Sequence, residues 1–579
     1  MRSKSGIAIV ATLVILVLVG LLVFGTFYTT QIEQFVTRND STSTQANYIA
    51  QAGLQKYKTA LFQNFRWAMG QSAVNANACE NPLYMGIDWD RNGPGAMQSF
   101  DSQGRMVFTE NIAGGQANVI IRRDANDRNY MTITSVGRFA GAQSSVRAVF
   151  NLANAGLLRY AVVAGSGSGQ RAINGSANIR GGVFIEGDET DPMRQVFVGS
   201  GNMQVANSYD LSGSSLLSTR VTPTRANNLC ASFRVRWGTI GIGGSAGLGS
   251  ANTSQNPNNN LVDIKIGDPS LVPSHPNLAL AYTTSGNSQL ITNQSCAPFC
   301  APFVGRYDIS PSESPRFPRL DGPGNCGSNQ TWRQCIIADA RNVVFTRGSS
   351  LPALPAGATW NNSASCSAIL NLTTISLDAT TIDCRFNLNG RAAGGFYYAP
   401  NGTDGLLEVY GSVVMRGFNL RTIRSNNQAR DILYRAYGYD QNGRAATILL
   451  QSFTSGQNRG GVLTLNGDVL PDGTAPFPQQ ALFLMAEGNA NEVVSVDYAH
   501  QNMTVAAMIY SGKRFILSGS QATLAGMVLA DSFCTNSNCN GGGSADIYYI
   551  DPGINLPGAL AAVPGTRVAV FQILSYERF

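Results

Sequence analysis

The chain is short of charge. Asp, Glu, Lys and Arg make up 13% of its 579 residues, about half the usual share. With 62 glycines and abundant Asn, Ser and Thr, that scarcity reads as extracytoplasmic β-structure with many turns. Lysine is almost missing: five residues, so nearly all positive charge is arginine. Histidine is limited to His275 and His500, and no Cys-x-x-Cys occurs, which argues against a zinc site. The phosphate-loop string is absent too; the one Gly-Lys lies in Gly512-Lys513-Arg514. Gly243-Gly244-Ser245-Ala246-Gly247 matches a nucleophile-elbow string, but it sits in low-complexity sequence rather than between a strand and a helix. Neither histidine has a readable catalytic partner, so a non-enzymatic protein is expected. Charge is also missing locally: no acidic or basic side chain lies between Lys4 and Glu33.

That uncharged stretch is the most informative segment. A basic leader, Met1-Arg2-Ser3-Lys4-Ser5-Gly6, runs into an apolar run from Ile7. Residues 7–27 as a helix would span about 30 Å, enough to cross a bilayer. Arg2 and Lys4 on one side predict a cytoplasmic N-terminus, with the rest of the chain beyond the inner membrane. Thr26-Phe27-Tyr28-Thr29 is a poor signal-peptidase site. Two readings remain. One is an uncleaved anchor on a surface structural protein. The other is a prepilin cut between Gly6 and Ile7, where a side-chain-free residue suits a processing protease. Loss of Arg2 and Lys4 takes the net charge from +6 to 6 − 2 = +4. Helical spacing continues through Ile32, Phe35, Val36, Ala46, Ile49, Ala50, Gly53, Leu54, Tyr57, Leu61 and Phe65, with a polar patch from Asn39 to Thr44 where a break is the alternative.

Ser5-Gly6-Ile7-Ala8-Ile9-Val10 and Ala46-Asn47-Tyr48-Ile49-Ala50-Gln51-Ala52-Gly53-Leu54 resemble the N-terminal helix of PilX-like minor type IV pilins. Those carry an Ala-x-x-Ala-Ala-Glu-Ala-Gly-Leu pattern there. Gln51 replaces the pattern's Glu. Ala11, fifth residue of the expected mature chain, stands where major pilins carry a glutamate that neutralises a neighbour's N-terminal amine. Without that carboxylate, burying the amine costs more, which fits a rare subunit at a filament tip. The resemblance implies other pilins, a prepilin peptidase and the membrane as partners, and passage from inner membrane to cell surface.

The chain divides into a leader (1–6), a stem helix (7–65), a small β head (66–154), a large β region (155–560) and a C-terminal strand (561–579). Head strands are expected at 105–110, 119–122, 130–136 and 145–150. From about residue 155 a motif recurs: Gly175-Ser176-Ala177-Asn178-Ile179-Arg180-Gly181, Gly411-Ser412-Val413-Val414-Met415-Arg416-Gly417 and Gly519-Ser520-Gln521-Ala522-Thr523-Leu524-Ala525-Gly526. Short apolar strands punctuated by glycine predict a parallel β-solenoid; the irregular spacing leaves a β-sandwich as alternative. Residues 227–390 hold seven of the ten cysteines and read as a disulfide-tied elaboration, with 238–260 as a loop. The last strand is expected to return to the head and complete its sheet, making the fold α+β with an inserted all-β domain. Stem, solenoid and cysteines together resemble the large competence-associated pilins of Thermus-type bacteria, which implies a DNA-binding role at a pilus tip.

All ten cysteines lie beyond the apolar run, so up to five disulfides are expected. Short spacings suggest Cys534–Cys539, Cys326–Cys335, Cys366–Cys384 and Cys296–Cys300, leaving Cys79 for Cys230. Asp88, Asp90 and Asn92, followed by Gly93, match half a calcium loop, although Ser99 holds the closing position with Asp101 nearby; a plain Asp/Asn/Gly turn is the more common cause of such a string. Calcium is the one candidate ion and no organic cofactor is implied. Arg416, Arg421, Arg424, Arg430, Arg435 and Arg444 interleave with Tyr434, Tyr437 and Tyr439. Guanidiniums can neutralise phosphates and tyrosines can stack on bases, so the cluster is a candidate DNA surface, a solvated face being the plain alternative. Pilus-associated adhesion is the runner-up function.

Overall fold

The computed structural model describes residues 4–71, 87–88, 97–98 and 105–578, apart from 124–129, 155–156, 168–171, 176, 192–193, 227–228, 230, 250–262, 267–281, 285–288, 291–303, 307–315, 325, 328, 423–429, 454–458, 490–493, 499–501, 518–520, 535–541, 552–557 and 559–568. One helix, Lys4–Gln71, runs for 68 residues without a break at the polar patch. Its length is about 100 Å. The side chains of the first half project from the head, and those at positions 46–57 pack on it.

The head is a five-stranded antiparallel sheet in the order Arg105–Ile112, Gly115–Arg123, Tyr130–Phe139, Ala142–Asn154, Ala569–Arg578. The last strand pairs with Ala142–Asn154 along its length, although more than four hundred residues separate them. The helix seats Ile49, Ala50, Leu54 and Tyr57 on Ala117, Val119, Ile121, Ile133, Val146 and Ala148. Small residues set the distance. A Cβ on Gly53 would lie 2.6 Å from Ser135 Oγ, and one on Gly137 would strike the Ala46 carbonyl. Tyr57 stacks on Phe108 at 4.4 Å. Glu110 accepts the Tyr57 hydroxyl at 2.5 Å and pairs with Lys56 at 2.7 Å. Burial raises the Glu110 pKa, but those two hydrogen bonds outweigh it and hold the carboxyl below its ordinary range.

The large domain is stacked in parallel ladders, rung on rung. The chain enters it in the middle. Tyr160–Gly167 is flanked on one side by Gly182–Gly187, Ser232–Trp237, Asp263–Ile266 and Val304–Arg306. On its other side lie Ala522–Cys534, Thr504–Leu517, Ala481–Ala486, Ala445–Gln451, Ser412–Arg416 and Val344–Thr346. So the chain winds away from the middle, crosses back, and winds in from the far end until it closes on its own first strand. A second ladder does the same: Asn178–Arg180 pairs with Gln204–Ala206 on one side and Ala545–Tyr549 on the other. Entry and exit are neighbours, which is why both connect to one head sheet. The far end is covered by an antiparallel meander, Ile382–Leu388, Arg391–Asn401 and Asp404–Tyr410.

Among the described side chains, the rungs turn one apolar face inward to a continuous core. The first ladder is buried on both faces, so Ala481–Ala486 is apolar and buried throughout. Its outer face is covered by residues 316–340, the segment that crosses between the two windings. Phe317 and Trp332 bracket Tyr510 at 5.9 and 5.0 Å. Three carboxylates on or next to strands of the first ladder hold this strap. Glu186 accepts the Phe317 amide at 3.1 Å, Asp531 pairs with Arg319 at 3.3 Å, and Glu487 with Arg333 at 2.6 Å. Register brings them into one column: Ile185 lies opposite Ala164, Ala164 opposite Ala530, Ala530 opposite Ser511 and Ser511 opposite Ala486.

The expected loop over 238–260 needs correction for residues 238–249, and residues 250–260 lie outside the described residues. Thr239–Ile242 and Gly247–Leu248 are buried strands of the stack. Glycine there permits a tight corner rather than a floppy tract: Gly244 sits at φ +68° beside Gly201. Ser245 is exposed on that corner between two strands, which is not the strand-to-helix setting that a nucleophile elbow requires.

Candidate functional site

The stem is the first candidate surface. Its best window has a mean hydropathy of 2.9, with none of it buried. Ile9, Leu16, Phe24 and Phe35 are each more than 60% exposed, a contiguous apolar surface that needs a lipid or protein partner. Ala11 is exposed within it. Gly6 and Ile7 lie in the first turns of the helix.

The arginine–tyrosine cluster does not form one face. Asp431–Tyr437 alternates strictly between half-buried and buried positions, so neighbours point oppositely. Tyr434 is buried and donates its hydroxyl to the Ala506 carbonyl at 2.6 Å. Burial pushes its phenol pKa up. It cannot stack on a base. Arg430 is buried, donating to the Asp404 carbonyl at 2.8 Å and pairing with Asp378 at 3.3 Å. Arg435 is held between two carboxylates, Asp472 at 2.5 Å and Glu408 at 3.2 Å. Arg416 donates to Gln451 at 3.2 Å. Burial makes Tyr434 and Arg430 structural groups, which corrects the expectation for those two as ligand contacts; Arg435 and Arg416 are half-buried and engaged inside the protein. Arg421 and Arg444 are exposed. Tyr437 is half-buried and stacks on Tyr410 at 4.8 Å, while Tyr439 lies under the Arg341 guanidinium at 4.4 Å. Arg424 lies outside the described residues.

Sequence reasoning missed the acidic partners of this cluster. Asp383 faces Tyr397, Tyr397 faces Glu408, and Glu408 faces Arg435 across successive strands. Arg385 grips Asp383 with two hydrogen bonds of 2.9 Å, reaches Glu408 at 3.4 Å and lies 4.2 Å over the Tyr397 ring. A ladder of alternating charge, Asp383–Arg385–Glu408–Arg435–Asp472, thus crosses the capped end. Burial would raise the pKa of Asp383 and of Asp472, but hydrogen bonds from Arg385 and Arg435 outweigh it and lower both. Only the alternation within each strand hinted at this in sequence.

Two disulfides are present among the described residues: Cys326–Cys335, with Cα atoms 5.6 Å apart, and Cys366–Cys384, at 4.8 Å. The first closes the start of the strap around its helix Trp332–Asp339, whose N-terminus Thr331 and Gln334 cap reciprocally. Cys79, Cys230, Cys296, Cys300 and Cys539 lie outside the described residues, as does the side chain of Cys534. So do Asp90, Asn92, Asp101 and the side chain of Asp88.

A scan of protein-family models gives no match, and a search of curated proteins gives none. Among solved structures, the chain is similar to the crystal structure of the competence-associated pilin ComZ from Thermus thermophilus. The two are 31% identical, the match covers 93% of this chain and 97% of that one, and the TM-score is 0.66. Stem, head sheet and inserted β domain therefore have a counterpart along nearly the whole length. The chain belongs to the competence-associated pilin family that ComZ represents.

Proposed function

We propose that this pilin-family chain is a minor subunit of a type IV pilus or DNA-uptake pseudopilus, with its β domain presented at or near the tip to bind DNA during natural transformation. The observation that carries the assembly role is the division of one helix. From Ile9 to Ile32 it exposes only apolar or uncharged side chains, and its later part is locked on the head sheet. Such a stem is held by the inner membrane with its N-terminus in the cytoplasm, is cut before Ile7 by a prepilin peptidase, and joins the helices of other pilins. Ala11 supports a rare position rather than a repeated one, since it offers no carboxylate to a neighbour's amine.

Support for DNA as the ligand comes from the likeness to a competence-associated pilin and from the exposed guanidiniums of Arg421 and Arg444. Fluorescence anisotropy with the full-length chain in detergent and a labelled single strand, at two salt concentrations, tests it. Removing one phosphate-neutralising side chain lowers the slope of log affinity against log salt by about 0.7. Arg421→Ala with Arg444→Ala should weaken binding and flatten that slope. Binding that is absent, or unchanged in the double variant at both salts, removes DNA from this surface.

A further inference from the structure

A small cleft opens on the second ladder, where Asn178–Arg180 and Ala545–Tyr549 lie in register. Arg180 and Tyr548 face each other directly across those strands. The next residue along the rungs is Ala206. A hairpin formed by Tyr209–Asp210 and Arg225–Ala226 walls the space. The cleft has a volume of about 270 Å³ and is lined by Arg180, Ser208, Tyr209, Asp210, Arg225 and Tyr548.

Its groups are arranged to offer ring faces and paired donors and acceptors. Tyr209 and Tyr548 meet edge to face, centroids 5.8 Å apart at 76°. Both hydroxyls are engaged inside the protein, Tyr209 with the Pro223 carbonyl at 3.1 Å and Tyr548 with Asp546 at 3.4 Å. The rings, not the hydroxyls, are therefore what they offer a ligand. Asp210 is fixed by the Ser212 amide and hydroxyl at 2.9 and 2.5 Å, and its other oxygen lies 3.6 Å from Arg225 Nε. That loose pair leaves an acceptor and a donor side by side at the rim. The Arg180 guanidinium has no hydrogen-bond or ion-pair partner among the described residues.

Charge selects the class of ligand. Of the lining groups, Arg225 stands against Asp210, while Asp546, outside the lining, holds the Tyr548 hydroxyl. The Asp210 carboxylate at the rim disfavours a phosphate beside it. A hydroxyl both donates and accepts, so vicinal hydroxyls of a sugar ring suit the Asp210–Arg225 pair while its apolar face covers a tyrosine ring. The volume lies just below the usual range of about 300–1,000 Å³ for ligand pockets, which limits the occupant to a single ring. From this juxtaposition we infer that the cleft is a subsite for one neutral pyranose unit of a surface glycan, separate from any DNA contact at Arg421 and Arg444.

Saturation-transfer NMR on the full-length chain in detergent tests the inference, with the methyl glycosides of glucose, galactose, mannose and N-acetylglucosamine as probes and deoxycytidine monophosphate as the comparison. At least one glycoside should receive saturation at its ring protons. That signal should fall at least five-fold in Tyr548→Ala and in Asp210→Asn, with circular dichroism unchanged. If Tyr548→Ala does not fold, Asp210→Asn and Arg180→Gln give the same readout from groups at the rim. No transfer to any of the four glycosides, or transfer that survives all the variants, overturns the inference. So does a nucleotide signal lost in those variants with no saccharide signal, which would assign the cleft to nucleic acid.

Discussion

Arg435→Ala separates a structural arginine from a ligand-facing one. The wild-type guanidinium bonds Asp472 at 2.5 Å and Glu408 at 3.2 Å. Its side chain is 34% exposed, while those carboxylates are 6% and 11% exposed. Breaking a fully buried pair costs about 3–5 kcal/mol, and an exposed pair contributes about 0.2–1 kcal/mol. After the substitution Asp472 keeps Thr474 and Gln480, and Glu408 keeps Arg385 and Tyr410. An intermediate loss of about 2 kcal/mol follows once the arginine's exposure is discounted. Thermal unfolding of the full-length chain should shift down by roughly 2 °C. The pH dependence has a definite sign. Asp472 is held below its ordinary pKa, so its contribution is present above about pH 4, its unfolded value, and is lost as pH falls through the folded value. The gap between wild type and variant should be widest near neutrality and close in acid. DNA affinity should stay within two-fold. Unchanged stability together with a large drop in DNA affinity would refute the assignment of Arg435 to the ladder.

Further tests probe the strap and the head. Glu186 is raised above the ordinary glutamate value, chiefly by burial, which outweighs the Phe317 amide and the nearby Arg319, Arg236 and Arg316. A raised carboxyl stabilises the fold when protonated and loses that contribution as pH rises through its folded value. Glu186→Gln should therefore match wild type near pH 4 and melt higher than wild type at pH 8; a lower melting point at pH 8 would contradict it. Gly137→Val would force its side chain into the Ala46 carbonyl, lifting the helix from the sheet. Limited proteolysis should then cut the stem free, where wild type resists. Cys326→Ser with Cys335→Ser should cost about 2–3 kcal/mol through loss of a short cross-link, read as faster proteolysis of the strap while Cys366 and Cys384 still resist alkylation.

The stem was legible because its signal is local: an apolar run, then three-and-four spacing on one chain segment. The seat of the head was legible at Ala46, Ile49, Ala50 and Gly53 for the same reason. The last strand also declared itself through its uninterrupted β pattern, though its partner at Ala142–Asn154 did not. The stack was harder to read. Winding starts at Tyr160–Gly167 in the middle and runs both ways, so equivalent rungs have no fixed spacing in sequence. Functional residues suffered most. Tyr434 and Arg435 read as one basic aromatic cluster, yet strand alternation sends one into the core and the other outward. Glu186, Glu487 and Asp531 form a column only because stacking aligns them. Arg180 and Tyr548 meet across more than three hundred and sixty residues.

The proposed assembly role requires a stem that is processed and packed among other pilins. The intact mass of the protein purified from piliated cells tests that directly. A mass that begins at Ile7, with the chain present in sheared filament fractions, is the predicted result. A chain that still begins at Met1 and stays with the membrane would contradict it.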